Sequence, residues 1–199
     1  MHISEGILSG SVLAAGWAGT CALTAIGLKK TDTSRIVRTA LVSSAFFLAS
    51  LVNVRVGPSS THLSLLAPMG LILGWGVFPA VFTGLLLQAV LFGFGGLLVL
   101  GVNTFIMGSA ALSVYLLFGR IIRESKNRPV VMCVSFIAGA MAVILGAGLV
   151  GVCLSLTDNN FLNAAKVIVN AHLPLALIEG AVNAFMVMWL KKSAPEFLS

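Results

Sequence analysis

Long apolar runs separated by short charged links set the pattern of this chain. No Asp, Glu, Lys or Arg occurs within residues 6–28, 39–54, 56–119 or 129–157. A helix needs about 20 apolar residues to cross a bilayer. Turn residues and charges divide the runs into seven segments, roughly 7–28, 36–54, 62–78, 79–94, 97–118, 130–155 and 172–190. The third and fourth are short, and only Gly74-Trp75-Gly76 and Pro79 part them. A re-entrant or broken pair therefore stands as the alternative to two full spans. The runs are too long and too free of charge for the tilted strands of a membrane barrel. The expected fold is an all-α integral membrane protein, a polytopic bundle of about seven transmembrane helices forming one domain over residues 1–199.

The positive charges orient this bundle. Lys29, Lys30, Arg35 and Arg38 follow the first span. Arg120, Arg123, Lys126 and Arg128 follow the fifth, and Lys191 and Lys192 follow the seventh. Basic residues collect on the cytoplasmic side of membrane proteins. Placing the N-terminus outside and the C-terminus in the cytoplasm puts ten of the twelve basic residues inside, leaving only Arg55 and Lys166 outside.

Composition adds exclusions. Charged residues make up 9% and hydrophobic residues 58%, whereas a soluble surface needs roughly a quarter charged residues. The expected location is the cell membrane. The net charge of +6 comes from the loops, so no nucleic-acid partner is implied. Cys21, Cys133 and Cys153 have no C-x-x-C spacing and read as buried small apolar residues. No G-x-x-x-x-G-K-[ST] loop is present, so no bound nucleotide is expected, and any ATP-driven motor is a separate polypeptide. No H-E-x-x-H or Ser/His/Asp set supports an enzyme.

The polar chemistry gathers on the expected outer side. His2, His62 and His172 stand at the outer ends of spans one, three and seven. No basic region precedes the first apolar run, so the start is not a signal peptide and Met1 is expected to remain the amino terminus. A Met1-His2 start then offers one metal ion three nitrogens: the terminal amine, the His2 amide and a His2 imidazole nitrogen. Amine and amide close a five-membered ring, amide and imidazole a six-membered one. His62 can fill the fourth corner of the plane. Square-planar nitrogen ligation points to Ni²⁺ or Cu²⁺, whereas Zn²⁺ prefers a tetrahedron. The plainer reading leaves His2 as an interfacial polar residue.

Other polar residues carry weaker expectations. Glu5 stands near the chelate as an outer hydrogen-bonding group or a solvated residue. Asn103, inside span five, holds the N-terminal segment or links helices. Glu179, within span seven, is a functional candidate because an ionisable group there is costly; pairing with a basic group near the interface and binding a partner subunit are the alternatives. Asp158, Asn159, Asn160, Asn163 and Asn170 read as a wet outer loop. Ala14, Ala18 and Ala22 line one helix face where backbones can approach closely.

These residues resemble a known family. The opening Met1-His2-Ile3-Ser4-Glu5-Gly6-Ile7-Leu8 is similar to that of CbiM and NikM, the nickel/cobalt S components of energy-coupling factor (ECF) transporters. Gly57-Pro58-Ser59-Ser60-Thr61-His62 resembles the family's loop ending in histidine. The stretch from Leu87 to Leu97, then Leu100 to Gly108, and the ending from His172 to Gly180 resemble further family motifs. The resemblance implies capture of Ni²⁺ or Co²⁺ by the Met1 amine, the His2 amide and imidazole, and His62, with Glu5, Ser60, Thr61 and Asn103 around them. It implies a transmembrane T component, two cytoplasmic ATPase subunits and a small accessory membrane protein as partners. The T component would grip Ala14, Ala18 and Ala22. Many members carry an acidic residue where this chain has Phe94. A structural membrane subunit and a stand-alone secondary transporter remain the rival expectations.

Overall fold

The computed structural model describes residues 2–51, 53–56 and 59–198, without the side chains of residues 33, 53–56, 59–61 and 159. Its helices are α1 (Gly10–Lys30), α2 (Ile36–Ala49), α3 (Leu66–Leu73), α4 (Val77–Phe92), α5 (Leu100–Glu124), α6 (Arg128–Thr157) and α7 (Leu162–Ser193). Among the described residues, five helical stretches are, by length and composition alone, long and apolar enough to cross a membrane: Gly10–Lys30, Leu66–Phe92, Leu100–Glu124, Arg128–Thr157 and Leu162–Ser193, the second of them broken by a turn. Ile36–Ala49 is a shorter apolar helix. The molecule is an all-α polytopic membrane bundle, and its outer face carries the large apolar residues that lipid requires, such as Leu41, Val90, Leu156 and Phe185.

The third expected span is corrected. Only eight residues of it, Leu66–Leu73, form α3, about 12 Å of helix and too short to cross. A 3-10 turn at Gly74–Gly76 then reverses the chain. Gly70 packs on Ala111 and Gly74 on Tyr115, whereas Phe78 returns to Gly108. Gly74 adopts φ +55, a conformation that a side chain would oppose. The stretch is a helical hairpin with one short arm.

Two further boundaries differ. The second expected span ends early, at Ala49, and Asn53–Val56 forms strand β2 instead. β2 pairs antiparallel with β3 (Ser59–His62), which pairs antiparallel with β1 (His2–Ile3). This three-stranded sheet, in the order β1-β3-β2, lies outside the all-helical expectation. The seventh expected span begins ten residues late. Asn163, Lys166 and Asn170 are exposed while Ala165, Ile168 and His172 are buried, so Asn163 and Asn170, read as loop, share one face of the first turns of α7 with Lys166, whereas Asp158, Asn159 and Asn160 lie before the helix. Cys21 and Cys133 are exposed, not buried as expected.

The bundle has two chemically distinct ends. Asn103, near the start of α5, holds β1. At the far end of α5, Lys30, Arg35 and Arg123 line one cavity, of about 300 Å³, with Trp75 and Tyr115. Lys126, Arg128, Lys191 and Lys192 line another. Lys191 Nζ donates to the carbonyls of Ile122 and Ser125 at 2.5 and 2.6 Å, a cation on the negative end of α5. Between the ends, small residues bring helices into contact: Gly16 against Val102, Gly139 against Gly180, and Gly70 against Ala111.

The Gly70 contact yields a test. A Cβ there would collide with the Ala111 backbone, so Gly70→Ala should destabilise by about 1–3 kcal/mol. A Cβ added at Gly148, in α6, would meet nothing within 4 Å, and Gly148→Ala should stabilise by up to about 1 kcal/mol. Thermal unfolding of the two variants in detergent checks both signs.

Candidate metal centre

A chain end frays unless its backbone is tied down, and here both sides of β1 are tied. On one side His2 lies opposite Ser60 and Ile3 opposite Ser59 in the ladder with β3. On the other, the Asn103 carboxamide meets the main chain of Ile3 twice. Ile3 N–H donates to Asn103 Oδ1 at 2.9 Å, and Asn103 Nδ2 donates to the Ile3 carbonyl at 3.0 Å. The Ile3 side chain is fully buried, in a cluster with Val99, Val102 and Ile106. Glu5 N–H donates to the Gly95 carbonyl at 3.0 Å, and Leu98 N–H donates to Glu5 Oε1 at 2.8 Å. Gly95 and Gly96 hold φ of +74 and +120. A Cβ on Gly96 would strike the Glu5 side chain, so this close loop needs glycine.

This arrangement sets two imidazoles side by side. The rings of His2 and His62 have centroids 4.8 Å apart, tilted by 37°, and are 2% and 3% exposed. His62 Nδ1–H donates to the Leu63 carbonyl at 3.0 Å. That bond fixes the tautomer and leaves a lone pair on Nε2, an atom that is buried with no hydrogen-bond partner among the described residues. Phe46 covers His62, with centroids 6.4 Å apart. Gln88, fully buried in α4, donates from Nε2 to Ser50 Oγ at 2.5 Å. Burial lowers the His2 pKa to about 3 and holds that of His62 well below its usual 6.5. Both rings are therefore neutral, the form that binds metal.

The link after His62 is held from α7. Glu179 accepts hydrogen bonds from the Ser64 N–H, from Ser64 Oγ at 2.8 Å and from the Leu65 N–H at 3.2 Å. Leu65 has φ +50, a left-handed conformation that costs about 1–2 kcal/mol for such a residue. The carboxylate also faces the N-terminus of α3, whose partial positive charge favours an anion. Glu179 is thus a clamp on the His62 loop, in place of the ion pair with a basic residue considered from sequence.

Of the other expected residues, Met1 lies outside the described residues, as do the side chains of Ser60 and Thr61. The Ser60 backbone stands opposite His2. The Glu5 carboxylate engages the Leu98 amide. Ala14, Ala18 and Ala22 all face outward from α1. Among the described residues no group of three or more His, Cys, Asp or Glu side chains could hold a metal. The expected chelate requires no such group, since two of its four nitrogens belong to the main chain of Met1 and His2. Gln88 and Ser64 had no assigned role from sequence. Gln88 carried one signal: it is the only glutamine in the chain and sits in an uncharged run.

Comparison with known proteins finds relatives of this chain among metal transport proteins. Residues 2–197 match the CbiM family, described as the cobalt uptake substrate-specific transmembrane region. A protein of Haemophilus influenzae is 35% identical over 204 residues, spanning 100% of this chain and 97% of its own. The fused nickel transport protein NikMN of Rhodobacter capsulatus is 29% identical over 225 residues, spanning 100% of this chain and 64% of its own. A crystal structure of a transition metal transporter superposes with a TM-score of 0.84 at 27% identity, covering 96% of this chain and 93% of that one.

The clamp on Ile3 is directly testable. Asn103→Leu leaves the buried Ile3 N–H and carbonyl unpaired, at about 1–3 kcal/mol each. Hydrogen exchange should show the Ile3 amide opening at least about tenfold faster, with amides in the middle of α6 unchanged.

Proposed function

This chain belongs to the CbiM family of multi-pass membrane proteins that transport metal and are not enzymes, and from that premise we propose that it is the metal-capturing S component of an ATP-driven ECF transporter for Ni²⁺ or Co²⁺. The ion is held by the Met1 amine, the deprotonated His2 amide, a His2 imidazole nitrogen and His62. One observation carries this reading: antiparallel addition of β1 to β3 sets the His2 ring 4.8 Å from that of His62, with both rings buried and neutral. Four nitrogens in a plane match the preference of Ni²⁺. Burial strips the ion of its water, so the chelate replaces the hydration shell.

The rest of the chain serves as one membrane unit over residues 1–199, with the sheet outside and the C-terminus in the cytoplasm. Clustering of Lys30, Arg35, Arg123, Lys126, Arg128, Lys191 and Lys192 at the end away from the sheet supports this orientation. The α3–α4 hairpin, with α4 returning toward the sheet, is compatible with the same orientation. The partners are a transmembrane T component, two cytoplasmic ATPase subunits and a small accessory membrane protein. The outward face of Ala14, Ala18 and Ala22 suits close packing by the T component. The fused relative NikMN supports a multi-subunit assembly.

Titration of the purified chain with Ni²⁺ and with Co²⁺, tagged only at its C-terminus, tests the reading. One-to-one binding is expected, weakened by orders of magnitude when one residue is added before Met1 and again in His62→Ala. Binding indifferent to the added residue would remove the terminal amine from the site.

A further inference from the structure

A third imidazole lies beyond the pair already described. His172, on α7, is 1% exposed. Its Nδ1–H donates to the Ile168 carbonyl at 2.8 Å, so the neutral ring carries its lone pair on Nε2. That Nε2 is buried and has no hydrogen-bond partner among the described residues. His62 is prepared in the same way, by Leu63. Two buried imidazoles thus each have one nitrogen fixed by a carbonyl and the other left bare. Buried polar atoms are ordinarily paired, and a bare imidazole nitrogen is a metal donor.

Helical geometry places His172 toward the end of α7 that faces the His62 link. Glu179 binds Ser64 and Leu65 and so fixes the segment after His62 on α7. Seven residues are almost two helical turns, so His172 shares the Glu179 face, displaced toward the end where β3 finishes at His62. One turn before His172, Ile168 is buried in the same cluster as Ile3, the neighbour of His2, so His172 lies on α7 between the level of β1 and that of the Ser64 link. The three histidines do not form a single metal-holding group in this conformation, so His172 is no fifth ligand of the terminal chelate.

We propose that Nε2 of His62 and Nε2 of His172 form a second, weaker station for the divalent cation, which the ion takes when the N-terminal chelate lets go. The inference rests on the reading of His62 as a ligand of that chelate. His62 is then the shared residue: it keeps hold of the ion while Met1 and His2 are exchanged for His172. Two imidazoles bind less tightly than four nitrogens in a plane, and conduction needs sites weak enough to leave.

The test uses the full chain in detergent with one residue added before Met1, titrated with Co²⁺ and followed by visible absorption and calorimetry. Weak binding should persist, and His172→Ala should lower it by about tenfold or more. His172→Asn should do the same while keeping a donor for the Ile168 carbonyl, with thermal unfolding confirming the fold. With the authentic N-terminus, His172→Asn should change the affinity by less than about threefold. Absence of residual Co²⁺ binding in the extended chain, or residual binding indifferent to both His172 variants, would overturn the proposal. If the added residue itself leaves affinity unchanged, the terminal chelate fails separately. His172→Asn then decides the second station: loss of binding supports it, and no loss rejects it.

Discussion

Two hydrogen bonds between the Asn103 carboxamide and the main chain of Ile3 hold the start of this protein inside its own bundle. A side-chain amide presents one donor and one acceptor in the spacing of a peptide unit, so Asn103 stands where a neighbouring strand would stand. β3 supplies the other side. Without these partners the Ile3 N–H and carbonyl would be buried unpaired, and the N-terminus would have to remain in water. With them, His2 is carried to a fixed point beside His62, and main-chain nitrogen enters a buried site. Position, burial and the neutral state of the rings all follow from that attachment.

The second side of the site depends on a similar substitution. The short link between β3 and α3 includes a left-handed Leu65 and free amides. Glu179 gathers those amides from across the bundle. An acidic residue in a membrane helix is costly in isolation, and here its cost is offset by donors that would otherwise be unpaired. Asn103 on α5 and Glu179 on α7 therefore do parallel work, one for the His2 strand and one for the His62 loop. Their helices are joined through α6, where small residues allow close packing. In the proposed site, an ion drawing His2 and His62 together would act on both anchors at once.

Much of this was legible in the sequence, and the failures have physical reasons. The charge-free runs located the helices because lipid penalises charge irrespective of tertiary detail. His2 and His62 stood out as histidines on one expected face of the bundle and Asn103 as a polar residue inside a span, and Asn103 proved to hold the N-terminal segment. The sheet was missed because Asn53 and Val54 close an uncharged run that reads as helix, and a two-residue strand such as His2–Ile3 has no periodicity to read. The eight-residue length of α3 was hidden because hydropathy measures burial and does not distinguish lipid from protein: every residue of α3 is buried within the bundle. The start of α7 was read as loop from its polar content, although Asn163, Lys166 and Asn170 follow a helical spacing. Gln88 and Ser64 acquire their roles only from residues brought near them by the fold.

On this reading the chain's own amino terminus supplies the plane of nitrogens that holds the metal. X-ray absorption at the nickel edge, on Ni²⁺-loaded protein with its authentic first residue, reports that coordination without intermediaries. The expected spectrum carries the pre-edge signature of a square-planar ion with a first shell of nitrogen alone. A six-coordinate ion with oxygen in its first shell would contradict it.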